Sequence, residues 1–457
     1  MRTIVLSLTL CVGLTAGCSE RALGPPRLGL GSDGDAIGDS QIGNLVPPWA
    51  DAGSFLKTES GAARLDGSAS GGPKGEPLSF RWSQTLGPPA EIVEPDSILT
   101  DIRMSTTGLY VFEIEVSNRL LSDTDEVMVW HTPSEDPVFV IHISIDGLRA
   151  DIIEVLGPQR LPGFAQLQET GAFTHDARTD VTHTITLPNH TTELTGRPVL
   201  GDRGHNWILN YHIPGSSIHD RKGAYVASVF DVVHDHGLRT ALFSGKQKFT
   251  LFVDSFDQAF GAQDTVGDAN GRNKIDHAVI TTDPDTLVDS LLASLREAPH
   301  HYTFLHLAEA DLAGHIRGWD PTPESDYSLA VESIDRTIQK ILLTVAASDL
   351  LAGRTTILLT ADHGGTGSGH ADETTLENYR IPFYAWGRGV DEGVDLYDLN
   401  SDRRQRPGVD APDYYAEPQP IRNGGIGNAA SHLLGLPSIP GSSINAATGS
   451  RLRFSAN

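Results

Sequence analysis

Cysteine is almost missing from this chain. The 457 residues contain two, Cys11 and Cys18, both close to the N-terminus. No disulfide framework and no thiolate metal site can exist beyond that segment. Any metal must therefore be held by His, Asp, Glu or hydroxyl oxygens, a donor set that suits catalytic zinc and also accepts manganese or iron. Runs of Lys or Arg are absent too, and the net charge is −25. This excludes a nucleic acid polymer or an anionic membrane surface as a general partner, but not a small anionic substrate held locally by metal. The N-terminal apolar run, Ile4–Leu14, is too short to span a bilayer. The length allows two or three domains around a large core.

The start, Met1-Arg2-Thr3 before that apolar run, reads as a signal peptide. Leu14-Thr15-Ala16-Gly17-Cys18 resembles a bacterial lipoprotein signal, in which Cys18 is lipidated and becomes the first mature residue. Ser19 rather than Asp follows, similar to outer-membrane sorting. The expectation is a signal over residues 1–18 and a protein of the bacterial cell envelope, held to the membrane through a lipid anchor only. Ordinary cleavage and secretion is the alternative. Residues 19–46, rich in Gly, Pro, Ser and Asp, read as a flexible linker with a reach of about 30 Å.

Residues 47–132 carry strand patterning throughout. Tyr110, Phe112, Ile114 and Val116 alternate with their neighbours, as do Leu78, Phe80 and Trp82. Period-two alternation with Gly, Pro and Asp punctuation predicts a β-sandwich. The text LDGSAS, PLSFRWSQ and STTGLYVFEIEVSN resembles the PKD-type immunoglobulin-like module of secreted bacterial proteins, which implies a spacer. No catalytic chemistry is visible there.

From Pro137 the rhythm becomes strand, helix, strand. Val138–Ile145 is a continuous apolar run, as in a parallel strand covered on both faces. Tyr225–His236 reads as a helix, Thr240–Phe243 as a strand and Asp276–Arg296 as one long helix. Tyr302–Leu307, Arg354–Thr360 and Ile381–Trp386 read as strands, and Tyr327–Val345 as an amphipathic helix. The pattern predicts an α/β sandwich with a mostly parallel sheet over residues 137–457. Ligands of such sheets sit beyond the carboxyl ends of the strands, and polar clusters stand there. Asp146 follows the first strand directly. Asp311 and His315 follow YTFLHL, at a spacing that puts both on one face of a helix. Asp362 and His363 follow RTTILLT, before Gly364 and Gly365, and His370 comes shortly after. Each alone reads as a turn or cap. Six acids and histidines at one sheet edge, without cysteine, make two metal ions a natural count.

Another cluster is Thr184-Ile185-Thr186-Leu187-Pro188-Asn189-His190. Pro188 suits the first position of a helix running to about Leu194, with Thr186 just before it. A threonine there either caps the helix or, with its hydroxyl activated, acts as a nucleophile. Lys246 and Lys248, just past the ALF strand, lie on the edge where ligands bind; they either touch the substrate or stand as surface lysines, and the second is the expectation. Asp398, Asn400 and Asp402 read as a surface loop, because Arg403 stands where a calcium loop needs glycine.

IDGLRAD, TLPNHTTELTG, the D-x-x-x-H of Asp311 and His315, ADHG and then His370, in this order, resemble the nucleotide pyrophosphatase/phosphodiesterase branch of the alkaline phosphatase superfamily. The resemblance spans most of Pro137 to about Ile444. It implies an alkaline-phosphatase-like fold and two Zn2+ per chain, other divalent metals being possible. Asp146, Thr186, Asp362 and His363 would surround one ion, and Asp311, His315 and His370 would hold the other. Thr186 would form a covalent phospho-threonine. An uncharged Asn would hold a phosphoryl oxygen. In Gly204-His205-Asn206-Trp207-Ile208-Leu209-Asn210 that role falls to Asn210 by its offset from the histidine, with Asn206 as the alternative. The function expected is hydrolysis of phosphodiester or pyrophosphate bonds in a small phosphate ester. The alternatives are a phosphomonoesterase or phosphonate hydrolase on the same metal core, and a catalytically inactive surface-anchored binding lipoprotein.

Overall fold

A computed structural model describes residues 47–53, 56–58, 60–73, 76–105, 108–131, 138–264 and 272–456. The expected signal peptide, Cys18 and the linker lie outside the described residues. Among those described, no helix is long and apolar enough to cross a membrane.

Seven strands come first: β1 (Leu56–Thr58), β2 (Ala62–Asp66), β3 (Ser79–Leu86), β4 (Ala90–Ile92), β5 (Leu99–Met104), β6 (Gly108–Ser117) and β7 (Ser122–His131). They form two sheets, in the orders β1-β7-β6-β3 and β2-β5-β4. Pairing is antiparallel apart from β1 with β7. Leu65 and Ile102 of one sheet and Trp82, Phe112, Ile114 and Val129 of the other share one buried core. That is the physical consequence of period-two patterning: the apolar half of each strand points inward.

The larger unit is built on eight strands: β8 (Phe139–Ile145), β9 (Gly171–Arg178), β10 (Thr240–Ser244), β11 (His277–Ile280), β12 (Tyr302–Leu307), β13 (Thr355–Ala361), β14 (Arg380–Gly387) and β15 (Val394–Asp395). Their order is β11-β10-β12-β8-β13-β14-β9-β15. The first five run parallel, and β14 is antiparallel to both β13 and β9. This is the mixed α/β architecture with a large, mostly parallel sheet that the alternation predicts. The helices are α1 (Asp151–Arg160), α2 (Pro162–Glu169), α3 (Thr186–Thr195), α4 (Ile218–Lys222), α5 (Val229–Asp235), α6 (Thr250–Ser255), α7 (Pro284–Glu297), α8 (Glu309–Arg317), α9 (Asp326–Ala347), α10 (Leu376–Tyr379), α11 (Leu396–Leu399) and α12 (Ile426–Leu433). One core, including Ile141, Ile143, Phe304, Leu358, Leu291 and Ile338, joins sheet and helices.

Three expectations are corrected. Asp276–Arg296 is not one helix: β11 pairs with β10, then Asp283 accepts from the Asp285 amide and Pro284 opens α7. A short apolar run before a cap fits either period, and an open sheet edge decided it. The helix expected from Tyr225 starts at Val229, where Ser228 and Asp231 form a capping box. Thr186 is the first residue of α3, not the residue before it, and Pro188 stands third, inside the first turn.

Under the centre of the sheet lies a buried polar pair. His142 on β8 places Nε2 3.3 Å from Glu193 Oε2 on α3, both fully buried. Its Nδ1 lies 2.8 Å from the Tyr302 hydroxyl. Burial pushes Glu193 up to about 8 and His142 down to about 3, so the pair is neutral at neutral pH. An acid raised on folding keeps its proton while the unfolded chain ionises. Its contribution to stability is full below the unfolded value of about 4.5 and falls as pH rises toward 8. Glu193→Gln should remove this slope. Denaturation across pH 5 to 8 should show wild type losing stability relative to the variant, and parallel curves would refute the assignment.

Candidate metal centre and active site

Register brings the candidate residues together. Ser144 of β8 pairs with His306 of β12 and Thr360 of β13, and His306 pairs with Ser244 of β10. The four strands therefore end level. Asp146, Lys246 and Asp362 each stand two residues past that line, on one carboxyl edge. Ala308 precedes α8, whose first turn carries Asp311 and whose last turn carries His315. The Asp311 amide donates to the Asp146 carbonyl at 3.1 Å, fixing α8 against β8. Gly147 turns the chain with φ +72°, and a Cβ there would lie 3.0 Å from Asp311 Cα. Its amide donates to Asp362 Oδ1 at 3.1 Å. Gly364 and Gly365 serve close packing. A Cβ at either would strike the Glu377 carbonyl or the Trp319 ring.

Asp146, Asp362, His363, Asp311 and His370 are all buried, and the His315 side chain is half exposed. Three clusters among the described residues are compact enough for a cation. One, His234, Asp235 and Asp264, lies elsewhere and has the Lys274 ammonium on both its carboxylates. Two lie at this edge: Asp146, Asp362 and His363, and Asp311, His363 and His370. His315 adjoins the second, with Nε2 3.4 Å from Asp311 Oδ1 and 3.2 Å from His370 Nε2. His363 is common to both clusters, and its ring stacks on His370 at 3.7 Å.

Hydrogen bonding shows which atoms face the centre. His363 Nδ1 bonds the Gly364 carbonyl at 2.8 Å, His315 Nδ1 the Ser368 carbonyl at 3.3 Å, and His370 Nδ1 the Thr184 carbonyl. A carbonyl only accepts, so each ring carries its proton on Nδ1 and turns an Nε2 lone pair inward. Two such lone pairs, on His315 and His370, then face each other at 3.2 Å, which a shared cation resolves. Asp146 Oδ1, Asp311 Oδ1, Asp362 Oδ2 and His363 Nε2 are buried without a hydrogen-bond partner. Orphaned buried carboxylate oxygens are costly, and four orphaned donor atoms in one place are the donor set of a hard or borderline cation. The residues present fit a metal.

Charge tells the same story. Burial and the neighbouring carboxylates Asp146, Glu193 and Asp311 raise Asp362 well above the ordinary carboxyl value. Burial would raise Asp146 too, but Lys246 together with His306 and His363 outweighs it and holds Asp146 low. Burial, followed by His370, keeps His363 well below the usual imidazole value and therefore neutral.

Lys246 corrects the reading of a surface lysine. Its ammonium is mostly buried, 2.7 Å from Asp146 Oδ2 and also bonded to Asp311 Oδ2. It holds the outer oxygen of one carboxylate from each cluster and leaves both Oδ1 atoms facing the centre. Lys246→Met should cost the chelated protein about 3–5 kcal/mol, the typical penalty for stranding buried carboxylates. Saturating divalent metal should recover most of it. Equal losses with and without metal, read by denaturant titration, would contradict this role.

Thr186 is buried at the N-terminus of α3. Its carbonyl accepts from His190 Nδ1 at 2.8 Å, and the same Nδ1 lies 3.5 Å from Asp362 Oδ2. Two residues earlier, Thr184 holds His370. The segment is thus tied to both clusters. Asn210 Oδ1 accepts from the Leu187 amide at 3.2 Å and from Lys248 Nζ at 2.9 Å, which puts it beside Thr186. Asn206 has its own reason to exist: it adopts φ +62°, a conformation asparagine tolerates, and its amide bonds the Val199 carbonyl. Lys248 is mostly buried and is lowered by that burial, so it too is no free surface lysine.

Sequence reasoning missed three supporting residues. His190 bridges Thr186 and Asp362. Ser144 Oγ lies 2.9 Å from His190 Nε2. His306 Nε2 lies 2.9 Å from Asp146 Oδ2. The available signal was a polar residue inside a wholly buried strand: Ser144 in FVIHISI and His306 in YTFLHL. Asp398 and Asp402 do belong to the chain surface, but Asn400 is buried, donating to the Leu396 and Arg453 carbonyls.

A mostly parallel sheet with acids and histidines gathered at its carboxyl edge defines an enzyme of the metal-dependent α/β class. Residues 140–379 match the type I phosphodiesterase/nucleotide pyrophosphatase family. The chain belongs to that family, whose members act on phosphoric ester bonds. Among curated proteins it is similar to human GPI ethanolamine phosphate transferase 1, 29% identical over 158 residues, which is 32% of this chain and 15% of that one. The match thus spans a small part of that relative's length. Among solved structures, murine ectonucleotide pyrophosphatase/phosphodiesterase 5 in complex with AMP aligns at 13% identity and TM-score 0.46, covering 67% of this chain and 96% of that one. The C-terminal periplasmic domain of EcEptC from Escherichia coli aligns at 14% identity and TM-score 0.44, covering 71% and 89%.

Proposed function

We propose that the chain hydrolyses small phosphodiesters or pyrophosphates through a covalent phospho-threonine on Thr186, with two divalent ions, zinc by its donor set, as cofactor. One observation supports the reading: the orphaned atoms of Asp146, Asp311, Asp362 and His363 gather at one sheet edge, and His190 ties the Thr186 carbonyl at the start of α3 to Asp362 there. Asp146, Asp362, His363 and Thr186 would hold one ion, and Asp311, His315 and His370 the other. Bound there, the ions supply positive charge that lowers the hydroxyl pKa and neutralises the phosphoryl and leaving oxygens.

The chain's own groups do the positioning, which is most of what phosphoryl transfer needs. His190 fixes the Thr186 backbone. The Leu187 amide, one residue past Thr186, donates to Asn210 Oδ1 at 3.2 Å, and the Asn210 amide group would hold a phosphoryl oxygen. The Thr186 Oγ–phosphorus bond forms as the bond to the leaving oxygen breaks. Water then attacks phosphorus, the Oγ–phosphorus bond breaks, and the threonine hydroxyl is restored.

A second reading rests on Lys248, whose ammonium bonds Asn210. A cation there offsets the extra charge of a monoester or phosphonate. Paired rates on an aryl phosphodiester and an aryl phosphomonoester separate the two. The first reading expects the diester to be faster, with Lys248→Met changing the ratio little. A monoester preference that falls at least about tenfold in Lys248→Met, a typical loss for one charged contact, would replace it. Turnover of neither substrate would refute both.

A further inference from the structure

In a chain of net charge −25, guanidinium groups gather at one place away from the metal centre. Arg203, Arg404 and Arg422 line a single cavity of about 80 Å3, together with Tyr414 and Asn445. Arg404 is 9% exposed and Arg422 3%. Their hydrogen bonds go to neutral acceptors. Arg422 donates to Gln419 Oε1 at 2.9 Å, the Thr179 carbonyl at 3.2 Å, the Asp413 carbonyl at 3.2 Å and the Pro412 carbonyl. Arg404 donates to the Arg403 carbonyl at 3.1 Å, Asn445 Oδ1 at 3.4 Å and the Ser450 carbonyl. Nearby Arg403, Arg406 and Arg453 each meet a carboxylate within 4 Å, Asp402 or Asp395. Among the described residues, Arg203, Arg404 and Arg422 do not.

Carbonyls satisfy N–H directions without cancelling charge. Arg422 has the buried Asp180 carboxylate acting on it from behind Tyr414, whose hydroxyl donates to Asp180 Oδ2 at 2.7 Å. No carboxylate acts on Arg404, and a buried guanidinium repelled by its neighbours without a counter-charge is an expensive arrangement. Burial pushes Arg404 down to about 10, and Arg403 and Arg422 push the same way. The guanidinium fork is the side chain suited to oxyanions. The cavity holds about five waters at roughly 15 Å3 each, so a small oxyanion fits and a nucleotide does not.

We propose that this cavity is a second anion-binding site, taking a small tetrahedral oxyanion such as inorganic phosphate. Its position gives it a consequence. Arg422 holds the Thr179 carbonyl, and the Thr179 hydroxyl donates to the Asp362 carbonyl. Asn423 donates to the Ala361 carbonyl at 3.2 Å. An anion on Arg422 therefore braces the strand end that carries Asp362.

The test is thermal unfolding of the metal-loaded full chain in inorganic phosphate against chloride of equal ionic strength, with equilibrium dialysis of labelled phosphate. Wild type should melt higher in phosphate and bind phosphate at two places per chain. Asp146→Asn, which damages the catalytic cage, should keep the part of the shift that the second site supplies. Arg404→Gln and Arg203→Gln should lose at least half of it and bind one phosphate fewer. Where Arg404→Gln does not fold, Arg203→Gln at the exposed rim decides. A shift equal in chloride, one lost in Asp146→Asn, or one undiminished in Arg203→Gln overturns the proposal.

Discussion

Thr186→Ala should lower turnover of an aryl phosphodiester by a factor on the order of 10^3 or more. It should leave the fold intact and most of the metal bound. The reason is positional. Thr186 opens α3, its carbonyl is tied through His190 to Asp362, and Thr184 is tied to His370. Removing one hydroxyl leaves the six carboxylate and imidazole donors in place, so metal content is a control separate from turnover. A serine in its place should restore part of the rate, because the attacking atom returns without its β-branch. Full activity in the alanine variant would end the nucleophile assignment.

The second large effect is expected from Asp362→Asn, in opposite directions for activity and for stability. Asp362 sits among carboxylates that push its own ionisation up, after burial itself. Without a cation this charge works against the fold at neutral pH. The Asn variant should therefore melt higher than wild type in chelator. It should also lose activity by at least about 10^3-fold and gain little stability from added metal, because a cluster that paid for charge with stability has lost its purpose. A variant that melts lower in chelator and keeps its activity would contradict the account. Chelation of wild type should abolish turnover, and a divalent ion should restore it.

Much of the catalytic region was legible because its chemistry stands directly after apolar strands. β8, β12 and β13 are fully buried runs, so their ends could be located by hydrophobicity alone, and Asp146, Asp362 and His363 follow within two residues. The D-x-x-x-H spacing needed only that α8 be helical, which it is. Lys246 was misread because a lysine past a short strand is exposed in most proteins. Only the pairing of β10 with β12 carries its ammonium over Asp146 and Asp311. Counting favoured Asn210 and kept Asn206 as the alternative, since a loop's path fixes which side chain reaches α3. The strand at His277–Ile280 was hidden by its length, and a neighbour in the sheet, not its own pattern, made it a strand. His190, Ser144 and His306 are second contacts of a centre, and one-dimensional patterns carry little about which buried polar groups meet.

The most direct test of the central claim is metal analysis of the purified chain after dialysis against zinc buffer. The account predicts about two zinc ions per chain, the number such a clamp uses. It predicts about one after Asp311→Asn combined with His315→Ala, which removes two donors from a single cluster. A chain that holds no zinc, or whose zinc content is the same in that double variant, would contradict it.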